Sequence, residues 1–271
     1  MVTGMPGDRA RTALAGARFA DLRWVAETGS TNADLLALAH DDPSLDGVVL
    51  VADHQTAGRG RLGRTWEAPA GAGLLCSTLL RPDLEPSQLH LITVAVGVAA
   101  SDACAEVAGV RPRLKWPNDL LVAHADGTDR KLAGILAESV VRDVRVDALV
   151  VGMGINVNWP ADLPAELAAI ATSLNHHAGH DVDREDLLVA HLRGLSTLLD
   201  QLGTDDGRLA LLGRYRDLSA TLGREVRVET STGSITGIAT DVDRDGHLLV
   251  DVDGHVRTVA AGDVVHLRPA S

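Results

Sequence analysis

The chain has 271 residues, enough for one large domain or for a large domain beside a small one. Apolar residues make up 45% of it and the formal net charge is −12, so a real core is available and bulk electrostatic binding of nucleic acid is disfavoured. No signal-peptide apolar region opens the sequence, and no run of about 18 uncharged apolar residues suggests a membrane helix. Cys76 and Cys104 are too few for a disulfide framework and read as core thiols in a reducing cytosol.

Residues 9–20 read as a helical N-terminal extension and WVAE, 24–27, as a short strand. TGSTNADLLALA opens a helix with Ser30 or Thr31 as its N-cap. GVVLVA, 47–52, and the run at 73–80 read as strands, and between them lies HQTAGRGRLGRTW, a connection too long for an idle loop. Residues 86–109 form an almost wholly apolar helix, which must be buried. RLKWPNDLLV, 113–122, reads as a strand interrupted at Trp116-Pro117 and then resumed, and AHADGTDR, 123–130, as a polar turn. KLAGILAESVV and RVDALVVGMGINVN are antiparallel strands joined at Arg142-Asp143. Helices are expected at 163–171, 184–202 and 205–218. From about Gly223 the pattern alternates with period two and turns at Gly233, Gly246 and Gly254, which predicts a small five-stranded β-barrel. The expected division is therefore 1–222 and 223–271.

The chain holds 23 arginines but only two lysines, Lys115 and Lys131, and both stand in distinctive contexts, LKWPND and RKLAGIL. A lysine kept in such an arginine-rich chain suggests a site that needs a compact point charge. The glycines and arginines of residues 58–64 suit close approach to an anion. The segment lacks the G-K-[ST] ending of a P-loop and leads into a strand, so it is neither that nor a dinucleotide fingerprint. The start of the helix at GSTN offers hydroxyls and free N–H groups, a receptor for a carbonyl or ureido group. Trp66, Trp116 and Trp159 offer flat walls for a bicyclic ligand, with core packing as the alternative. Gly152 and Gly154 would let a ligand approach the backbone, or mark a bulge. DVDRDG, 241–246, resembles the start of a calcium loop, but its twelfth position is Val252, so it reads as a hairpin turn. His176-His177 has no partner at metal-ligand spacing.

In order, GSTN, HQTAGRGRLGRTW, KWPND, KLAGIL and GINVN resemble the biotin protein ligase family, the biotin–[acetyl-CoA-carboxylase] ligases. The resemblance implies a mixed-sheet α/β (α+β) catalytic domain of the biotin/lipoate ligase kind and a C-terminal SH3-like β domain. It implies a two-step reaction: biotin and Mg²⁺-ATP give biotinyl-5′-AMP, and biotin then passes to one lysine of a carrier. By motif position, Ser30, Thr31, Asn32, Gln55, Arg59, Gly60 and Gly134 correspond to biotin contacts, as do Arg61 and Lys131. Gly58, Arg64, Trp66, Lys115, Asn118, Asp119 and Asn156 correspond to the ATP or adenylate side. Lys131, Arg61 and Asp119 are the catalytic candidates; no dedicated metal site is expected beyond Mg²⁺ carried by ATP. Residues 58–66 are expected to be mobile when empty and to fold over the adenylate.

The implied partner is the biotin carboxyl carrier domain of an acyl-CoA carboxylase. The protein is expected in the cytoplasm, with no membrane association, as a monomer or weak homodimer, for which the sheet edge after GINVN could supply the contact. Fewer than 30 residues precede GSTN, so no DNA-binding role is expected. A lipoate or octanoate ligase, a non-enzymatic biotin sensor and an Arg-Gly RNA-binding protein are the competing readings.

Overall fold

Strands buried on both faces read as continuous apolar runs, and GLLCSTLL is such a run. In a computed structural model of the chain, which describes residues 5–142, 145–230 and 233–267, all eight of its residues are buried. Helix α1 (Asp8–Ala13) precedes β1 (Leu22–Thr28), α2 (Thr31–Asp41) and β2 (Val49–Gln55). The glycine–arginine loop then leads to β3 (Gly73–Leu80) and the long helix α3 (His90–Ala108). Strands β4 (Arg113–Lys115), β5 (Asp119–Ala123), β6 (Asp129–Arg142) and β7 (Arg145–Asn156) follow. Helices α4 (Ala165–Ala168), α5 (Leu174–Ala178), α6 (Arg184–Gln201) and α7 (Asp205–Leu218) come next. The last strands are β8 (Glu225–Thr230), β9 (Gly233–Val242), β10 (Leu248–Val252), β11 (His255–Val259) and β12 (Asp263–His266).

The first seven strands form one sheet in the order β1-β2-β3-β7-β6-β5-β4. Only β1 and β2 run parallel; the remaining neighbours are antiparallel, so the sheet is mixed. Period two sorts its side chains. Val49, Val51, Leu74, Cys76, Val151 and Met153 join the large cluster that includes α3 and α6, while Val48, Leu50, Leu79, Ala148 and Val150 pack with Leu35 and Ala39 of α2. Helix α3 is apolar on most of its surface because most of it is covered, by the sheet, by α6 and by α7; Asp102 and Glu106 mark its exposed side. By length and composition α3 would pass for a membrane span, but 78% of its apolar window is buried within the protein. It ends where Gly109 turns left-handed (φ 66°) and Val110 N–H reaches back to the Cys104 carbonyl. The second sheet is a five-stranded antiparallel unit in the order β11-β10-β9-β8-β12.

Several sequence expectations are corrected. The N-terminal helix stops at Ala13 rather than continuing to residue 20, and Gly16 (φ 74°) turns the chain. KWPND does not continue a strand. It reverses it: β4 and β5 pair antiparallel, with Lys115 opposite Asp119. The helix expected at 163–171 is the single turn α4, and α5 within SLNHHAG was not anticipated. Strand β7 lies between β3 and β6, so no sheet edge follows GINVN; the edges are β1 and β4. The joins expected at Arg142-Asp143 and at Gly233 adjoin or include residues 143–144 and 231–232, which lie outside the described residues. The DVDRDG segment is a hairpin turn between β9 and β10, as its sequence suggests.

Trp116 fastens the two sheets together. Its ring is 1% exposed, its Nε1–H donates to the Gly246 carbonyl (3.1 Å), and its backbone N–H donates to Thr221 Oγ1 (3.0 Å). Arg216 with Asp241 and Arg224 with Asp129 add ion pairs across the same junction.

Burial depresses two histidines, the partly exposed His90 and the core residue His191. His90 is held at about 4, by desolvation first and then by His247 and Arg61; His191 is also held at about 4 by desolvation, with its Ala99 contact opposing. The unfolded chain takes up these protons near the ordinary value of 6.5, and the folded chain does not until about 4. Stability therefore falls as pH drops from 6.5 towards 4, by roughly 2–3 kcal/mol per histidine. Scanning calorimetry between pH 7 and 4.5 should show the decline, and His191→Gln should flatten it. An unchanged slope in that variant would remove His191 from the account.

Candidate active site

A small cavity opens where α2 begins, β2 ends, and β6 and β7 pass beneath the glycine–arginine loop. Its free volume is only about 50 Å³, because the protein's own side chains crowd it. Ser30, Thr31 and Asn32 form one end; Arg61, Trp66 and Lys131 form the other.

The first end is a closed polar network. Ser30 starts α2, but its hydroxyl does not cap the helix as the sequence suggested. Gln55, at the end of β2, does so instead: its Oε1 accepts from Thr31 N–H at 2.8 Å. Ser77 Oγ donates to Asn32 Oδ1 at 2.6 Å. Its one proton is then used, and Thr31 Oγ1, 2.6 Å from Ser77 Oγ and 3.0 Å from Gln55 Oε1, has a single proton for the two. Donation to Ser77, the shorter contact, leaves Gln55 Oε1 a lone pair for a ligand N–H. Asn32 Nδ2 donates to the Leu136 carbonyl (3.1 Å) and to Glu138 Oε2 (2.9 Å), and the other Glu138 oxygen pairs with the Arg59 guanidinium. Gly152 makes room for this network, since a Cβ there would lie 2.1 Å from Asn32 Oδ1.

The second end gathers cations. A bulge at Leu132 shifts β6 against β5, and Lys131 lines the cavity beside it. Its Nζ stands 2.7 Å from Asp119 Oδ1 and 5.5 Å from the centre of the Trp66 ring, within cation–π range. The indole in turn lies where Gly154 would carry a Cβ, 2.6 Å from that position, and its Nε1–H is buried without a partner. Arg61 donates to Asn118 Oδ1 (3.2 Å) and to the Gly262 carbonyl (3.1 Å) in the second sheet's β11–β12 turn. Burial lowers its pKa, Asp263 and Asp119 oppose that, and Arg64 adds to the lowering. Arg64 pairs with Asp263.

The loop itself is folded rather than structureless. Arg59 and Thr65 form an antiparallel bridge, Trp66 N–H returns to the Gly58 carbonyl (3.0 Å), and Arg61–Gly63 makes a 3-10 turn at the tip. Gly58 serves that closure, because a Cβ on it would meet the Trp66 carbonyl at 2.2 Å. Gly60, Gly134 and Asn118 line the cavity. Lys115 does not line it, but sits with Asn118, Asp119 and Tyr215 at a neighbouring cleft. Asn156 is buried beside the Thr172 carbonyl, which its Nδ2 bonds at 2.9 Å, and its Oδ1 is unpartnered.

Other readings change. Trp116 and Trp159 are core residues, 1% and 5% exposed, so of the three tryptophans proposed as walls only Trp66 reaches the cavity. The spaces at Gly152 and Gly154 are filled by Asn32 and Trp66 rather than left open for a ligand. Ser77 and Glu138 were missed; each is a polar interruption of an apolar strand, and that interruption was the available signal. Gly262 and Asp263 carried no local signal at all.

Residues 28–156 match the biotin/lipoate A/B protein ligase family and residues 221–267 the biotin protein ligase C terminal domain. A biotin–[acetyl-CoA-carboxylase] ligase of Mycobacterium tuberculosis is 42% identical over 94% of this chain and 92% of its own length. A second enzyme of that name, from Paracoccus denitrificans, is 35% identical over 89% of this chain and 98% of its own. The fold superimposes on a biotin protein ligase from Aquifex aeolicus, solved in complex with biotin and ATP. The TM-score is 0.76 and the identity 31%, covering 92% of this chain and 100% of that one.

The attachment of the loop to the second sheet is testable without any ligand. Asp263→Asn removes the charge that holds Arg64, and trypsin should then cut after the loop arginines severalfold faster, while the melting temperature moves by about 2 °C or less. An unchanged cleavage rate would show that Asp263 does not restrain the loop.

Proposed function

The chain belongs to the biotin protein ligase family, and from that premise we propose how its cavity divides the work of joining biotin to a carrier protein. The observation that carries the proposal is the convergence of Thr31, Asn32 and Gln55 at one end of a cavity whose other end holds Lys131 and Arg61. A ureido group needs both donors and acceptors; with the Thr31 proton on Ser77, the Gln55 Oε1 lone pair, the Ser30 hydroxyl and the remaining lone pair of Asn32 Oδ1 supply them. The carboxylate of the same molecule then lies towards the cations. Gly60, Gly134 and Arg59 border that path.

Adenylation needs no strong base, since the nucleophile is already an anion. It needs positive charge to bring a carboxylate up to a phosphorus ringed by oxygens. Lys131 and Arg61 provide it. Trp66 gives adenine a flat partner, with Gly58 keeping the loop closed behind it; Arg64, Asn118 and Lys115 complete the nucleotide side. Magnesium, carried by ATP, would neutralise the polyphosphate. The Asp119 carboxylate and the unpartnered Oδ1 of Asn156 are the hard oxygen donors that such an ion takes.

In the transfer step the carrier lysine must lose a proton. Lys131, paired with Asp119 at 2.7 Å, turns to the adenylate and leaves that carboxylate free to accept it. The amine attacks the acyl carbon and AMP leaves. The partner in this reading is the biotin carboxyl carrier domain of an acyl-CoA carboxylase. The setting is cytoplasmic, which suits two buried thiols held at about 12, and the working form is a monomer or weak homodimer.

ATP–pyrophosphate exchange should respond to biotin but not to lipoate or octanoate, and Lys131→Ala should lower it by at least about 100-fold. Exchange driven by lipoate or octanoate would transfer the fold to the other branch of the family. Arg61→Gly should still form adenylate but release it into solution faster, measured by trapping free biotinyl-AMP. A variant that retains adenylate as well as the parent would deny Arg61 that role.

A further inference from the structure

We propose that Glu138 is a positioning residue that couples the receptor for the ureido end to closure of the glycine–arginine loop, an inference that rests on the biotin-ligase reading above. One oxygen of its carboxylate accepts from Asn32 Nδ2 at 2.9 Å, and the other pairs with the Arg59 guanidinium. No other side chain among the described residues bonds both the start of α2 and the loop. Its side chain is 21% exposed, so the charge is largely withdrawn from water and needs a cation. Arg59 is the cation present, and it stands at the base of the loop, bridged to Thr65.

The carboxylate also fixes a choice that Asn32 would otherwise leave open. An amide can be turned end for end at little cost unless its neighbours distinguish oxygen from nitrogen. Ser77 donates to Oδ1 from one side, and Glu138 and the Leu136 carbonyl accept from Nδ2 on the other. An ionised carboxylate can only accept, so it enforces that orientation. A glutamine at 138 could present its NH₂ to either Asn32 or Arg59 and would weaken both attachments. Loop and receptor would then order independently.

The experiment is Glu138→Gln in biotin-dependent pyrophosphate exchange, with the release rate of biotinyl-AMP measured beside it. The expected result is a biotin KM raised about tenfold and adenylate released at least fivefold faster, with kcat within about threefold of the parent. Arg59→Gln should reproduce the faster release, and the double variant should be no worse than the more impaired single one, because both act through one contact. A KM and a release rate within twofold of the parent would overturn the proposal, as would effects that multiply in the double variant. If Glu138→Gln proves too unstable to assay, Arg59→Gln decides alone: release unchanged there overturns the coupling. A parent enzyme without biotin-dependent exchange would instead sink the reading on which the proposal rests.

Discussion

Thr31, Asn32 and Ser77 are 3%, 4% and 0% exposed, and polar groups so withdrawn from water must satisfy one another. Much of the molecule follows from that requirement. Helix α2 must begin directly over β3, so that Asn32 meets Ser77. Strand β2 must run on to Gln55 to supply the missing cap. Strand β7 must carry glycine at 152, because Asn32 occupies the space of a side chain there. A receptor built by mutual satisfaction is rigid before any ligand arrives, and pre-organisation of this kind lowers the ordering cost of recognition.

The other end of the cavity works by a different principle. Two of the cations are held by weak or exchangeable partners: Lys131 by one carboxylate and a ring face, Arg61 by an amide oxygen and a backbone carbonyl. Neither is locked in a bidentate ion pair. Arg61 can trade its neutral partners for an anion without leaving a buried charge stranded, whereas Lys131 in doing so leaves the Asp119 carboxylate free.

The sequence carried the strands, the long buried helix and the five motifs well, because period two, period 3.6 and glycine-rich turns are local signals. It erred where local signals are ambiguous. A proline after Trp116 marks a break but does not say whether the chain continues or reverses, and here it reverses. Glycines at 152 and 154 announce empty space but do not name its occupant; Asn32 and Trp66 take it. Tryptophans at 116 and 159 look as functional as Trp66 until burial separates them. Glu138 was hidden within an apolar strand, and Asp263 within a module whose own alternation explained it fully. Their roles exist only in three dimensions.

The bond from Arg61 to the Gly262 carbonyl spans 201 positions of the chain. A ribosome adding about 5–20 residues per second would need roughly 10–40 s between making the arginine and making its acceptor. During that interval the receptor end can already be complete, since Ser30 to Glu138 precede the second sheet, while the loop above it has nothing to fasten its tip. In the nascent chain the polar network at the start of α2 is thus available well before the loop tip gains its anchor. The tip is fastened only once the β11–β12 turn exists, so the loop of the first sheet depends on a contact that the second sheet supplies.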